Sequence, residues 1–343
     1  MRDLIRLTRP VNLLIIAATM LLMRYGVIGG NLERGLNELI DQVEVSVQRA
    51  ELSLPEHYGP QMPLYLFLLL VLSTVLIAAA GNMINDYFDT RIDRINKPEQ
   101  VIVGRTVKRR VAMTGHLLLS GLGLLIGAFV AWRAGMVQWA LIPAFAIGAL
   151  WLYSTTFKRQ LIIGNVMVAV LTALVPLTVG LYELPLMKQA FTANPVVVGV
   201  PYDAFYAMEV PYRELWYWIF AFAGFAFLST LLRELQKDMA DVKGDEAHGC
   251  RTIPIVWGMK WAKTLALLHT GVIIVLLLGL RKFILNDELS FWYIGIAIVA
   301  PLLVSAGFTW SAVSRQEFIR AGTILKLAMV SAVGFAVLIR YLP

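Results

Sequence analysis

The sequence predicts an all-α membrane protein: about nine transmembrane helices in one bundle, with two Asp-rich cytoplasmic-side loops. Three observations carry this reading. The 343 residues are 58% hydrophobic and 15% charged, with a mean hydropathy of +0.69. Soluble domains carry about 25% charged residues, so lipid must cover much of this surface. Second, apolar runs of spanning length recur along the whole chain. Third, the segments between them alternate between basic and acidic or mixed.

The runs lie at 11–28, 64–84, 111–132, 138–156, 162–183, 214–233, 262–280, 291–311 and 322–341. They lack the strict alternation of barrel strands. Lipid offers no partner to backbone polar groups, so spans are expected as helices. The short basic start, Met1 to Pro10, has no small-residue cleavage site after its apolar run, so 11–28 reads as a first span and not a signal peptide. Basic residues gather at Arg2, Arg6 and Arg9, at 85–110, at Lys158-Arg159, at 233–263 and at Arg315 and Arg320. Segments 29–62 and 184–213 are acidic or mixed. The positive-inside bias then puts the protein in the cell (inner) membrane with the N-terminus cytoplasmic and the C-terminus extracytoplasmic. Residues 1–343 read as one domain. Within it, 29–62 forms an extracytoplasmic amphipathic insertion, because Leu32, Leu36, Leu39, Ile40, Val43 and Val47 recur at spacings of three and four.

The net charge of +7 follows from loop topology and does not call for nucleic acid. The single cysteine, Cys250, excludes a disulfide framework and a multi-cysteine metal site.

Two acidic motifs stand out. If the second span stays helical, Asn85, Asp89 and Asp93 share one face at i, i+4, i+8, with Asp86 beside Asp89. The second motif runs from Arg233 to Asp245. In it Asp238 and Asp241 are i, i+3, and Asp241 and Asp245 are i, i+4; Glu234 precedes them and Arg233, Lys237 and Lys243 are interleaved. Gly244 marks a point where the helix is expected to loosen. Crowded carboxylates repel one another without cations, and Mg²⁺ takes oxygen ligands of this kind together with waters and substrate phosphates. One such loop is compatible with a solvated face that only sets topology. Two, at one predicted interface and both at span ends, read as halves of a metal–diphosphate cage.

The pattern Asn-Asp-x-x-Asp-x-x-x-Asp after the second span, with a second Asp-rich motif after the sixth, resembles the UbiA superfamily of intramembrane prenyltransferases. The resemblance extends to Arg9-Pro10-x-Asn12, Tyr153-Ser154 before Lys158-Arg159, and Ile163-Gly164-Asn165. Within the family, the run 233–245 followed by Arg251-Thr252-Ile253-Pro254 is most similar to the archaeal-type digeranylgeranylglyceryl phosphate synthases and their bacterial relatives. The stretch Lys97-Pro98-Glu99 departs from the family in lacking an Arg after the Pro, which leaves Lys97 or Arg105 for its phosphate role.

The resemblance implies Mg²⁺ held by Asp86, Asp89, Asp93, Asp238, Asp241 and Asp245, the residues expected to carry catalysis. It implies diphosphate contacts from Arg9, Asn85, Lys97, Arg105, Lys158, Lys237 and Arg251. Asn12, Tyr87, Tyr153 and Asn165 are candidates to touch substrate or the allylic cation, with Phe88 and Trp257 as further rings. Its partners are a prenyl diphosphate, a lipid or aromatic acceptor and membrane lipid. The leading reading joins a geranylgeranyl group to a lipid such as geranylgeranylglyceryl phosphate. Prenylation of an aromatic or quinone precursor is the enzymatic alternative, and a cation or phosphate transporter the non-enzymatic one. Against transport, no ionisable path crosses the predicted midplane. His116 is expected to be a satisfied interhelical group and His248 a loop residue.

Overall fold

The computed structural model describes residues 2–34, 59–193, 202–283, 285 and 287–342. Among them lie the short helix α1 (Arg2–Leu7), then α2 (Pro10–Arg34), α3 (Leu64–Asn96), α4 (Arg109–Arg133), α5 (Val137–Thr155), α6 (Ile163–Ala193) and α7 (Tyr202–Ala247). After the one-turn α8 (Ile253–Val256) come α9 (Met259–Phe283), α10 (Glu288–Ser311) and α11 (Arg315–Leu338). Nine helices among the described residues are long and apolar enough to cross a membrane. Leucines such as Leu125 and Leu141, about 70% exposed, show the outward apolar surface that lipid covers.

Neighbours in sequence pack side by side from α2 to α7, and α11 closes the ring against α7, α10 and α2. Small residues set the closest approach of α3 and α4. A Cβ at Gly127 would stand 2.8 Å from Ser73 Oγ, and that hydroxyl donates to Gly123 O at 2.6 Å. His116 on α4 is buried with Nδ1 3.0 Å from Ala80 O, the interhelical role expected of it.

The end of the bundle away from the aspartates is fastened by a buried ion pair. Arg24 Nε on α2 lies 3.0 Å from Glu183 Oε1 on α6, both essentially without exposure. Met62 N donates to Glu183 Oε2 at 3.0 Å, and Arg24 donates to Met62 O, so the chain entering α3 is tied to both helices.

Two expectations need correction. Both acidic motifs are helical, not loops: α3 continues to Asn96 and α7 to Ala247. The apolar runs end earlier because they report contact with lipid, whereas helical hydrogen bonding continues where the side chains turn polar. Thirty-three residues in α3 make about 50 Å of helix, well beyond a hydrocarbon core of about 30 Å. Helix α2 likewise runs to Arg34, into the start of the expected 29–62 insertion. The core of that insertion, 35–58, lies outside the described residues.

Candidate active site

A cavity of about 350 Å³ lies where the polar ends of α3 and α7 face each other. The helical spacing of the motifs brings Asp86, Asp89 and Asp93 from α3 and Asp238, Asp241 and Asp245 from α7 onto its wall. Asn96 joins the two helices. Its Nδ2 donates to Asp241 O at 3.1 Å and its Oδ1 accepts from Gly244 N at 2.9 Å. A Cβ at Gly244 would come within 2.6 Å of that carboxamide, so the glycine serves close approach and not the helix loosening expected of it.

Bases answer most of the acids. Arg9 Nη2 is 2.6 Å from Asp86 Oδ1, Lys97 Nζ is 3.2 Å from Asp93 Oδ2, and Lys158 pairs with Asp89. Arg315 Nη2 reaches Asp241 Oδ1 at 3.2 Å from the start of α11. Asn165 Nδ2 donates to Asp238 Oδ2 at 2.8 Å. Glu234 is buried behind the wall, 3.3 Å from Lys237 Nζ and 3.0 Å from Arg233 Nη1. Next to Lys237, Gln236 donates to Ser305 Oγ at 3.0 Å and Thr309 Oγ1 at 2.9 Å, which fixes this turn of α7 against α10.

Local backbone explains several of these placements. Arg9 takes a left-handed conformation (φ 55°), uncommon for a residue with a Cβ, and the chain then enters α2 at Pro10. Lys158 sits in the single turn Phe157–Arg159, against which Gly164 packs; a Cβ there would meet Lys158 Cα and Phe157 O at 2.8 Å. Burial, then the Lys237 and Arg159 charges, push the Lys158 ammonium down to about 7, while Cys250 and Asp245 pull the other way. Burial, then Asp245, pushes the thiol of Cys250, another residue of the wall, up. His248 Nδ1 lies 2.9 Å from Gly244 O, a local role.

Of the expected phosphate contacts, Arg9, Asn85, Lys97, Lys158 and Lys237 line the cavity. Arg105 and Arg251 do not, and both are exposed. Gly104 (φ 80°) turns the chain so that Val101 and Val103 are buried against the site and Arg105 points away. Arg251 contributes only its backbone N–H, to Arg159 O at 2.9 Å. Tyr153 and Asn165 line the cavity; Tyr87 and Trp257 do not. Tyr87 lies under Arg109, 4.2 Å from its centroid, and stacks edge-on with Phe88. Asn12 accepts from Lys326 Nζ at 2.8 Å, just outside the cavity. Arg6, Asn96, Arg315 and Lys326 were not expected here; only their charge or polarity marked them in sequence.

The donor set suits a hard divalent cation. Six carboxylates line one space, and the buried Asn85 Oδ1 on the same wall accepts no hydrogen bond among the described residues. Among the described residues no three acids or histidines converge tightly enough to hold an ion by themselves. Mg²⁺ completes its shell with water and substrate phosphate. A second concavity of about 720 Å³ lies on α5, α6 and α7, walled by apolar side chains including Phe145, Val170, Leu174 and Phe227.

Comparison with known proteins gives a consistent pattern. The model of the UbiA prenyltransferase family matches residues 57–330. Digeranylgeranylglyceryl phosphate synthase of Thermococcus sibiricus is 30% identical over 220 residues, 63% of this chain and 65% of that protein. Its counterpart in Methanothermobacter thermautotrophicus is 32% identical over 204 residues, 58% and 59% of the two chains. The match thus spans less than two thirds of these relatives' length, though it reaches 82% of the Thermococcus kodakarensis enzyme at 28% identity. Among solved structures, one described as digeranylgeranylglyceryl phosphate synthase in membranes superposes with a TM-score of 0.58 at 19% identity, covering 98% of both chains. A UbiA homolog from Archaeoglobus fulgidus bound to DMAPP and Mg²⁺ gives 0.54 at 17% identity, covering 98% of this chain and 99% of that one.

Proposed function

The chain belongs to the UbiA prenyltransferase family, and from that premise we propose that it transfers a geranylgeranyl group from its diphosphate to a lipid alcohol such as geranylgeranylglyceryl phosphate, releasing pyrophosphate. The observation that carries the reading is the convergence of six aspartates from two helices on one cavity, interleaved with Arg9, Lys97, Lys158 and Lys237.

Asp86, Asp89, Asp93, Asp238, Asp241 and Asp245 would hold Mg²⁺, which offsets charge on the departing diphosphate. The chain's own cations do the rest. Arg9, Lys97 and Lys158 are held near the site by the carboxylates they pair with, and they turn to phosphate oxygens when substrate arrives. The allylic C–O bond breaks, the acceptor oxygen captures the cation-like carbon, and the hydroxyl proton leaves with pyrophosphate. Tyr153, on the wall beside Asn165 and Asp238, offers a ring to that carbon. The apolar groove on α5 to α7 suits the prenyl tail. From Asn165 to Val170 the helix rises about 7 Å, so the groove begins near the cage and leads away from it. The Asp-rich end faces the cytoplasm in this reading, because Arg94, Lys108, Arg109, Arg110, Lys243 and Lys260 crowd there. The bundle is one prenyltransferase domain.

The structures of the A. fulgidus UbiA homolog bound to DMAPP or GPP and Mg²⁺ support the donor class. The synthases named above support the acceptor. The test is product formation by purified protein from geranylgeranyl diphosphate, with and without Mg²⁺, on geranylgeranylglyceryl phosphate or 4-hydroxybenzoate. Mg²⁺-dependent ether product on the first acceptor alone is expected. Product on the aromatic acid alone would overturn the acceptor and keep the family chemistry.

A further inference from the structure

Lys326 is a cation placed where lipid or protein, not water, is expected. From Arg315 to Lys326 the axis of α11 advances about 16 Å, and from Asp241 back to Arg233 that of α7 advances about 12 Å. The Arg315–Asp241 pair sets the two antiparallel helices at a common level, so Arg233 and Lys326 reach similar depth below the aspartates. Helices α7 and α11 pack directly against each other. Among the described residues no carboxylate pairs with Lys326, whose one hydrogen bond goes to the neutral Asn12 Oδ1 at 2.8 Å. A charge at this depth is costly and calls for a partner or a function. A merely structural lysine is normally answered by an acid, as Arg24 is by Glu183 at the other end of the bundle.

Asn12 lies one turn beyond Arg9, the residue paired with Asp86 on the cavity wall. Lys326 is therefore adjacent to the catalytic cavity but outside it, where α2, α7 and α11 meet. Lys326 is half-buried and the Arg233 side chain is 37% exposed, so an anion can reach both.

We propose that Lys326, with Arg233 and the Asn12 amide, binds the phosphate of the acceptor: a lipid phosphomonoester whose free hydroxyl, a few bonds away, is directed at the cavity. The proposal rests on the transferase reading above. The cavity itself is a poor place for that second phosphate, because its acids serve the metal and the donor diphosphate. A separate cationic subsite keeps the two anions apart and selects a phosphorylated acceptor over its alcohol. When the phosphate docks, Lys326 exchanges Asn12 Oδ1 for a charged oxygen and the Asn12 amide N–H₂ becomes a second donor.

The test uses full-length protein in nanodiscs and two acceptors, geranylgeranylglyceryl phosphate and the same ether without its phosphate. Lys326→Met should raise KM for the phosphorylated acceptor about ten- to a hundredfold, the loss of one charge-assisted bond. It should leave KM for the donor diphosphate unchanged and abolish the preference over the alcohol, and Lys326→Arg should restore part of it. Equal effects on both acceptors, an effect on donor KM, or no effect would overturn the subsite. A parallel binding measurement with a monoacyl glyceryl phosphate, and with inorganic phosphate as control, separates this from failure of the acceptor reading. If wild type prenylates neither acceptor yet Lys326→Met loses lipid phosphate binding, the subsite stands and the acceptor assignment falls. Equal affinities in wild type and variant overturn the subsite. Matching loss of inorganic phosphate binding assigns it to free phosphate and overturns a lipid acceptor as its occupant.

Discussion

Asp238→Asn isolates the charge of one cage residue from its shape. Asp238 is half-buried on α7 and, among the described residues, receives a single hydrogen bond, from Asn165 at 2.8 Å. Asparagine keeps the volume and removes one unit of negative charge from the wall. At about 4 Å and an effective dielectric of about 20, a unit charge interacts with another by about 4 kcal/mol. If that interaction acts on the metal–diphosphate transition state, kcat falls about a thousandfold. The fold should not suffer, because a partly desolvated carboxylate without an ion pair is replaced by a neutral group of the same size. The assay is single-turnover formation of prenylated product at saturating donor and Mg²⁺, with thermal unfolding of the detergent-solubilised protein in parallel. The expected result is a rate near one thousandth of wild type with an unchanged midpoint. Arg105→Ala and Arg251→Ala, exposed and outside the cavity, serve as charge controls and should retain most activity. Activity within tenfold of wild type in Asp238→Asn, at unchanged stability, would refute the electrostatic cage.

Three further substitutions probe the scaffold around the cage. Gly164→Ala drives a Cβ into the Lys158 backbone at 2.8 Å; moving that turn takes Lys158 off Asp89, and KM for the donor should rise about tenfold, the loss of one charge-assisted bond, in steady-state kinetics. Glu183→Gln leaves Arg24 buried without its counter-charge and should lower stability by about 3–5 kcal/mol, seen as an early unfolding midpoint, while the protein that stays folded keeps its kcat. Gly224→Phe adds a ring to the apolar groove where a Cβ meets no neighbour within 4 Å; competition between donors should then shift toward the ten-carbon diphosphate over the twenty-carbon one.

The aspartates were legible in sequence because helical period is local information: spacings of three and four name a common face whatever lies opposite. Lys158 and Asn165 were legible through the family resemblance, which rests on Tyr153-Ser154 before Lys158-Arg159 and on Ile163-Gly164-Asn165 at a span start. The links that assemble the two motifs into one site were not. Asn96 meets Gly244 across 148 residues, Arg315 meets Asp241 across 74, and Lys326 meets Asn12 across 314. No periodicity within one segment encodes which helix will face it. Arg105 and Arg251 failed for the opposite reason. Their charge beside a motif was visible, but direction was decided by backbone, by the positive φ of Gly104 in one case and by a backbone hydrogen bond in the other. The extents of α3 and α7 were underestimated because hydropathy marks where lipid ends, not where the helix does.

That overrun is what the proposed chemistry depends on. Had α3 and α7 ended with their apolar runs, the aspartates would lie on loops, free to separate and lower their mutual repulsion. Carried on rigid helices and joined through Asn96, they are held together at a fixed spacing. Acids confined in this way need positive charge, and the chain supplies it from four other elements: Arg9 before α2, Lys97 after α3, Lys158 before α6 and Arg315 on α11. Each of these cations sits at a helix end or in a turn, where a side chain can change partner without moving a span. In the function proposed above, a metal-bound diphosphate would add both signs of charge at once, and carboxylates and cations would each exchange one another for it. On the same proposal, the resting ion pairs would balance the site's charges until substrate replaced them.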